Sequence, residues 1–252
     1  MTATYDYGAY TVNGKNLHLK WLEADINEVT IRNVGATTVG NSGYYGVNGT
    51  FFDNSSSSST YGYLTGIAIQ NGSIVRQAGG TQDYTTFSSG GRGALVKLSN
   101  NLADGTFLFE KRFYEFPVTH NGYTIQQSNV QWAIGGISLY LGETLTESAF
   151  NSRMVSEKAP SYSSNVARTA IGYKGANKVI LCTFFDGNDL WNGGKGCTIW
   201  DVRTVMKDKF GCTMGVNLDG GGSTQIRFKQ GTSSNYHETE ARKIFSMVTV
   251  PM

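Results

Sequence analysis

The chain has 252 residues, 39% of them hydrophobic and only 16% charged, with a formal net charge of +2. A length of this order suits one domain with a sizeable core, and so small a charge argues against a duplex nucleic acid as partner. Gly (32), Tyr (14) and Phe (13) are abundant, which favours strands and turns over long helices.

No run approaches the roughly 18 apolar residues that span a bilayer, and the opening MTATYDYGAYTVNG has no basic region followed by an apolar one. A cytoplasmic or virus-encoded protein with no membrane partner is therefore expected. Cys182, Cys197 and Cys212 are evenly spaced without a CxxC pair, so they read as buried thiols and not as a zinc site or disulfide framework.

Along the chain, Leu17–Val34 alternates apolar and polar residues and predicts strands with one buried face. Tyr44–Asp53 is aromatic and Gly-rich and runs into the polar loop Ser55–Ser59. Further strand patterns fall at Gly66–Gln70, Ser73–Gln77, Gly93–Leu98, Thr106–Phe109, Trp132–Leu141, Thr169–Tyr173, Lys178–Phe185, Met214–Leu218, Thr224–Phe228 and Ile244–Val250, with a polar tail at Gly231–Glu240. One helix is specified. Thr198 caps it, Asp201 completes a box, Ile199, Val202, Met206 and Phe210 share a face, and Gly211 stops it. The segment Phe113–Gln131 carries no readable pattern. Without repeats or a linker, the expectation is one α+β domain over 1–252, built on a large mixed or antiparallel sheet with few packed helices.

Three places join a strand end, a glycine and a polar side chain. Asn48 and Gly49 precede Phe51, Phe52 and Asp53. Arg168 and Thr169 open the buried-looking strand ARTAIG, where a guanidinium needs a carboxylate or phosphate; Asp186 ends the next strand. The sharpest is VNLDGGGSTQ: Asp219 opens into Gly220, Gly221 and Gly222, whose unshielded amides suit an oxyanion, with Ser223 and Thr224 adding hydroxyls. No Lys follows the glycines, so this is no Walker loop.

NGTFFD at Asn48–Asp53, IGG at Ile134–Gly136, RTAIG at Arg168–Gly172, the DG at Asp186, the amphipathic helix and NLDGGGSTQ at Asn217–Gln225 together resemble the phosphodiester glycosidase family, in the family's order and over 17–228. The resemblance implies a hydrolase that removes a sugar from a sugar-1-phosphodiester, cutting at the anomeric carbon and freeing a phosphomonoester, and no cofactor is expected. By matching position it implies Asp219, Arg168, Asp186 and Asn48 as catalytic groups. Substrate contacts would come from Gly49, Gly135, Gly136, Thr169, Asn217, Gly220, Gly221, Gly222, Ser223 and Thr224. Where relatives often carry His or Pro before the RTAIG arginine, this chain has Val166 and Ala167, so no acid or base stands there.

Glycoside cleavage ordinarily needs an acid and a second carboxylate, but a phosphate leaves with little protonation if cations and N–H groups hold it. Arg168 and the amides of Gly220–Gly222 are then expected to hold the phosphate, Asp219 or Asp186 to act as base or nucleophile, and Asn48 to orient a sugar hydroxyl or the water. Glu23 with Asp25, and Glu238 with Glu240, read as solvent-facing pairs. His18, His120 and His237 have no metal spacing, and no metal is assigned, although oxygen ligation of a cation by Asp186 and Asp219 leaves no sequence signature. Two other functions stay open. One is a non-catalytic carbohydrate-binding module, which would not need Arg168 and Asp219 to converge; the other is the same chemistry on a nucleotide-linked or ribosyl phosphate, with Tyr44, Tyr45 or Trp191 stacking.

Overall fold

The structure, a computed structural model, describes residues 2–75, 91–99, 108–186, 196–238, 240 and 242–252. Its strands in chain order are β1 (Thr4–Val12), β2 (Lys15–Asp25), β3 (Thr30–Thr37), β4 (Gly46–Asn48), β5 (Ala68–Gln70), β6 (Ser73–Ile74), β7 (Arg92–Leu98), β8 (Leu108–Phe113), β9 (Val118–His120) and β10 (Tyr123–Ile125). They continue with β11 (Val130–Ser138), β12 (Arg168–Gly175), β13 (Lys178–Asp186), β14 (Met214–Asn217), β15 (Gln225–Gln230), β16 (Ser233–Glu238) and β17 (Ile244–Thr249). The α-helices are α1 (Glu147–Ser156) and α2 (Ile199–Asp208). None of the described helices is long and apolar enough to cross a membrane. Residues 76, 77, 106 and 107, at the edges of two predicted strands, lie outside the described residues, as does Trp191.

Ten strands make one sheet in the order β1-β2-β13-β12-β14-β11-β5-β6, with β7 joined to β11 and β8 to β7. Five make a second, β16-β15-β4-β17-β3, and β9 pairs with β10. The pairings are antiparallel, so the α+β expectation holds with the mixed alternative resolved. One core fills the space between the sheets, with Leu22, Ile171, Leu181 and Val216 from the large sheet meeting Val47, Ile226 and Val248 from the small one. A second core lies on the outer face, where α1 and α2 cover Leu17, Leu19, Ala170 and Cys182. All three cysteines are buried thiols.

Helix α2 forms as its sequence dictates. Thr198 accepts from the Asp201 amide at 3.2 Å, and Asp201 accepts in return from the Thr198 amide at 2.9 Å. Asp201 also takes the Lys15 ammonium at 2.5 Å and the Asn13 amide at 2.7 Å, tying the helix start to the β1–β2 turn. The predicted serine loop is held by Asp53, whose carboxylate accepts from the Ser55 amide at 2.9 Å and the Thr60 hydroxyl at 2.5 Å.

One irregularity interrupts the large sheet. Strand β11 pairs with β7 up to Gly136 and takes up β14 from Ile137. Where a strand changes neighbours, backbone N–H groups lose their ladder acceptors, and buried ones must find others. Two carboxylates supply them. Glu157 accepts from the amides of Gly93 and Ser138, both at 3.1 Å, and Glu110 accepts from those of Tyr140 at 3.1 Å and Gly215 at 2.8 Å. Burial pushes the Glu110 pKa up to about 7, against the pull of those amides.

A carboxyl whose folded pKa lies above its unfolded value stabilises the fold fully at acid pH and loses that contribution as pH rises through the folded pKa. His237, buried and pushed down to about 4, acts in the opposite sense, losing its contribution as pH falls from about 6.5. The Glu110 effect is therefore isolated by difference: the stability of wild type relative to Glu110→Gln is expected to fall by on the order of 2 kcal/mol between pH 4.5 and 7. Urea denaturation across that range measures it, and a constant difference would mean an unshifted carboxyl.

Candidate active site

The chain leaves the large sheet at β14 and enters the small one at β15, so residues 218–224 must cross from sheet to sheet. The Asn48 side chain, itself buried, holds this crossing. Its Nδ2 donates to the Asp219 carbonyl at 2.8 Å, and its Oδ1 accepts from the Thr169 hydroxyl at 2.7 Å and the Gln225 amide at 3.1 Å. The Asp219 amide donates to the Gly49 carbonyl at 3.2 Å. Three motifs far apart in sequence thus meet at one amide group.

Inside the glycine turn, the Gly220 amide donates to the Asp219 carboxylate at 2.9 Å and the Gly221 amide to the Ala167 carbonyl at 2.8 Å. The Gly222 amide makes no hydrogen bond to another described residue. Gly221 has φ +59° and open space where a side chain would start, a backbone conformation that glycine adopts without strain. Gly49, Gly135 and Gly136 are placed differently: a Cβ would lie 2.4 Å from Ser246 Oγ, 2.4 Å from the Ile67 nitrogen and 2.3 Å from the Asn217 carbonyl oxygen, respectively. These glycines let backbones pass closely, which accounts for them without a ligand.

Desolvation pushes the Asp219 pKa up from the usual carboxylate value, while Ser223, the Gly220 amide, Arg242 and Arg92 pull it back. The Ser223 hydroxyl is buried beside it without closing a hydrogen bond. Thr50 Oγ1, just after β4, and Asn217 Oδ1, at the end of β14, are likewise buried and unmatched, although the Asn217 Nδ2 donates to the Leu218 carbonyl at 2.7 Å. Buried polar atoms without partners are rare in folded proteins.

Arg168 is 3% exposed. Its Nε donates to the Cys197 carbonyl at 3.0 Å, and its Nη2 to the carbonyls of Ser161 (2.5 Å) and Ser164 (2.9 Å). Burial lowers its pKa to about 10, with Cys197, Asp201 and Asp219 opposing, so it stays charged at neutral pH. It therefore converges electrostatically on Asp219 while most of its donors are spent on backbone, a lock that no sequence signal revealed.

Two arginines beside Asp219 were not singled out by the sequence. Arg92, 7% exposed, donates to the Lys158 carbonyl at 3.3 Å and lies 4.5 Å from the Phe51 ring centroid; burial lowers its pKa to about 10 against the pull of Glu157 and Asp219. Arg242 pairs with Glu240 at 3.2 Å, and both side chains lie against Gly222. The side chains of Asp186 and Glu238 lie outside the described residues. Among the described residues no group of three or more His, Cys, Asp or Glu could hold a metal ion.

With this geometry in place, comparison with known proteins is informative. The phosphodiester glycosidase family profile matches residues 41–250. No curated protein matches the chain. Among solved structures, the catalytic domain of zebrafish N-acetylglucosamine-1-phosphodiester α-N-acetylglucosaminidase, auto-inhibited by its pro-peptide, superposes with a TM-score of 0.62 at 17% identity, over 99% of this chain and 83% of that one. A hypothetical protein from Synechocystis gives 0.56 at 12% identity, over 99% of this chain and 62% of its own. Similarity at these identities speaks for the fold.

The Arg168 lock makes a prediction. Charge-assisted hydrogen bonds to buried carbonyls are individually worth about 1.5–3 kcal/mol, so Arg168→Ala is expected to lower stability by on the order of 3 kcal/mol or more in urea denaturation. An unchanged midpoint would mean that the three carbonyls find water instead.

Proposed function

The chain belongs to the phosphodiester glycosidase family, and from that premise we propose that it hydrolyses the C1–O bond of a sugar-1-phosphodiester, releasing free sugar and a phosphomonoester. One observation carries the reading: a desolvated carboxyl, Asp219, lies within the fields of Arg92, Arg168 and Arg242 beside an uncommitted amide at Gly222. A module that only binds sugars has no use for buried arginines converging on a carboxylate.

In this reading Arg92, Arg242 and the Gly222 amide hold the phosphate, and Arg168 adds its charge from behind. Asp219 takes a proton from the water that attacks the anomeric carbon. The C1–O bond breaks with its electron pair passing to the phosphate oxygen, where cations stabilise the developing charge in place of a strong acid. Removing water from Asp219 makes it a better base at neutral pH. Asn48 acts by fixing the Asp219 backbone, because its oxygen is already shared by Thr169 and Gln225; the buried Thr50, Asn217 and Ser223 oxygens offer the polar contacts to the sugar. Asp186 is the second carboxylate of the proposal.

The test is release of sugar and phosphomonoester from sugar-1-phosphodiesters and nucleotide sugars in chelator-treated buffer. Asp219→Asn is expected to lower kcat by about a thousandfold and to stabilise the fold slightly, since a desolvated carboxyl is costly. Sugar binding without turnover of any substrate would make the protein a recognition module. The acid limb of kcat/KM is also diagnostic. It is expected above the ordinary Asp range and should move further up in Arg242→Ala, because losing a cation disfavours the carboxylate; an unmoved limb would assign the base elsewhere.

A further inference from the structure

Resting on that reading, the structure assigns a positioning role to a residue outside the family's motifs. We infer that Glu157 is the mount of Arg92, holding the guanidinium in the orientation that meets an anion beside Asp219. Glu157 follows α1 and is 1% exposed, an expensive place for a carboxylate unless its contacts are specific. One of its oxygens takes the amides of Gly93 and Ser138, and the other takes the Tyr140 hydroxyl at 2.5 Å, with the Arg112 Nε at 3.9 Å.

The grip on Arg92 is double. Glu157 holds the backbone of the next residue, Gly93, while the carbonyl of its own neighbour, Lys158, accepts from the Arg92 Nη2. The two dipeptides Arg92–Gly93 and Glu157–Lys158 therefore bind reciprocally, side chain to backbone in both directions. Gly93 must be glycine for this: a Cβ would lie 2.4 Å from both the Ser138 nitrogen and its Oγ, closing the gap in which the two amides converge on one oxygen. Phe51 covers the guanidinium face. Among the described residues, Glu157 and Asp219 both act on the Arg92 charge, so the residue next to the backbone that Glu157 grips also bears on the candidate site.

A carboxylate that merely plugs the fork between β7, β11 and β14 would need its hydrogen bonds and not its charge. Glu157→Gln separates the two roles, since the amide keeps an oxygen for the backbone donors. The first readout is the Arg92 side-chain Nε–Hε resonance in 15N NMR, assigned by its loss in Arg92→Lys. Its solvent exchange is expected to quicken about tenfold in Glu157→Gln, and kcat to fall about tenfold with little change in KM, since misplacing a group that acts in the transition state is felt chiefly in kcat. A lowered denaturation midpoint with wild-type Arg92 exchange and kcat would overturn the proposal and leave Glu157 as a plug.

Two safeguards keep the result decisive. If wild type turns over no substrate, the catalytic reading falls, yet the Arg92 resonance still reports whether Glu157 holds it. Should Glu157→Gln not fold, Tyr140→Phe frees one carboxylate oxygen while sparing both backbone contacts. It is expected to quicken Arg92 exchange about twofold to threefold, and unchanged exchange there would refute the assignment.

Discussion

The arrangement depends on the side-chain amide of Asn48, which lies where two sheets meet and satisfies both. It donates to the crossing loop at Asp219, and it accepts from the small sheet at Gln225 and the large sheet at Thr169. A buried amide so engaged strengthens each of its bonds and fixes a single spacing between the layers. That spacing explains neighbouring choices: Gly49 must lie directly on Ser246, and Gly66 must clear the Thr50 side chain, whose Oγ1 would come within 1.9 Å of a Cβ. An aspartate could not replace Asn48 without losing the donor to the Asp219 carbonyl.

Charge around this clasp is organised in two tiers. Arg168 and Glu157 face backbone: the arginine closes three carbonyls of the 161–164 and 197 segments, and the glutamate closes two amides at a sheet fork. Arg92, Arg242 and Asp219 stand between, with Arg242 paired to Glu240 and the charges of Arg92 and Arg242 both acting on Asp219. Arginine suits the outer tier because its planar fork can spend some donors on carbonyls and keep its charge; a lysine would offer one point and would shift its pKa more readily on burial.

The sheet strands were legible because alternation survives wherever one face is buried, and α2 because its cap, box and apolar stripe all agree. Helix α1 was not: ESAFNSRMVS buries only Phe150 and Met154, and its serines and asparagine favour caps and turns over helix interiors. Strands β1 and β16 lie at sheet edges, where TYDYGAYTV and SSNYHE keep mostly polar or exposed residues; the first shows no strand pattern in the sequence and the second reads as a polar tail. Around the candidate site, Asn48 and Asp219 stood out through local turn chemistry and Arg168 as a guanidinium at the head of a buried strand, and the fold places the three segments together. Arg92, Arg242 and Glu157 sit in ordinary-looking strand, loop and helix-end contexts, and only tertiary contact gives them a role. The same limit applies to Gly49, Gly135 and Gly136, because close backbone approach and an exposed anion-binding turn both require glycine.

The position of the site follows from topology before any chemistry is considered. A chain that passes from one sheet to the other must give up its ladder partners over several residues, and the cheapest way to satisfy the stranded groups is a turn that bonds to itself and to both sheets. Residues 218–224 do this with Asn48 and Ala167 as outside partners. Among the described residues the crossing is not saturated completely: the Gly222 amide and the Ser223 hydroxyl close no hydrogen bond, and the half-buried carboxyl of Asp219 lies beside them. A polar remainder of that kind is costly to an empty fold and useful to an occupied one, because a ligand with anionic oxygens repays the same desolvation that the protein has already borne. Arg92 and Arg242 both act on the Asp219 carboxyl, so the charge balance of this crossing is set from segments outside it.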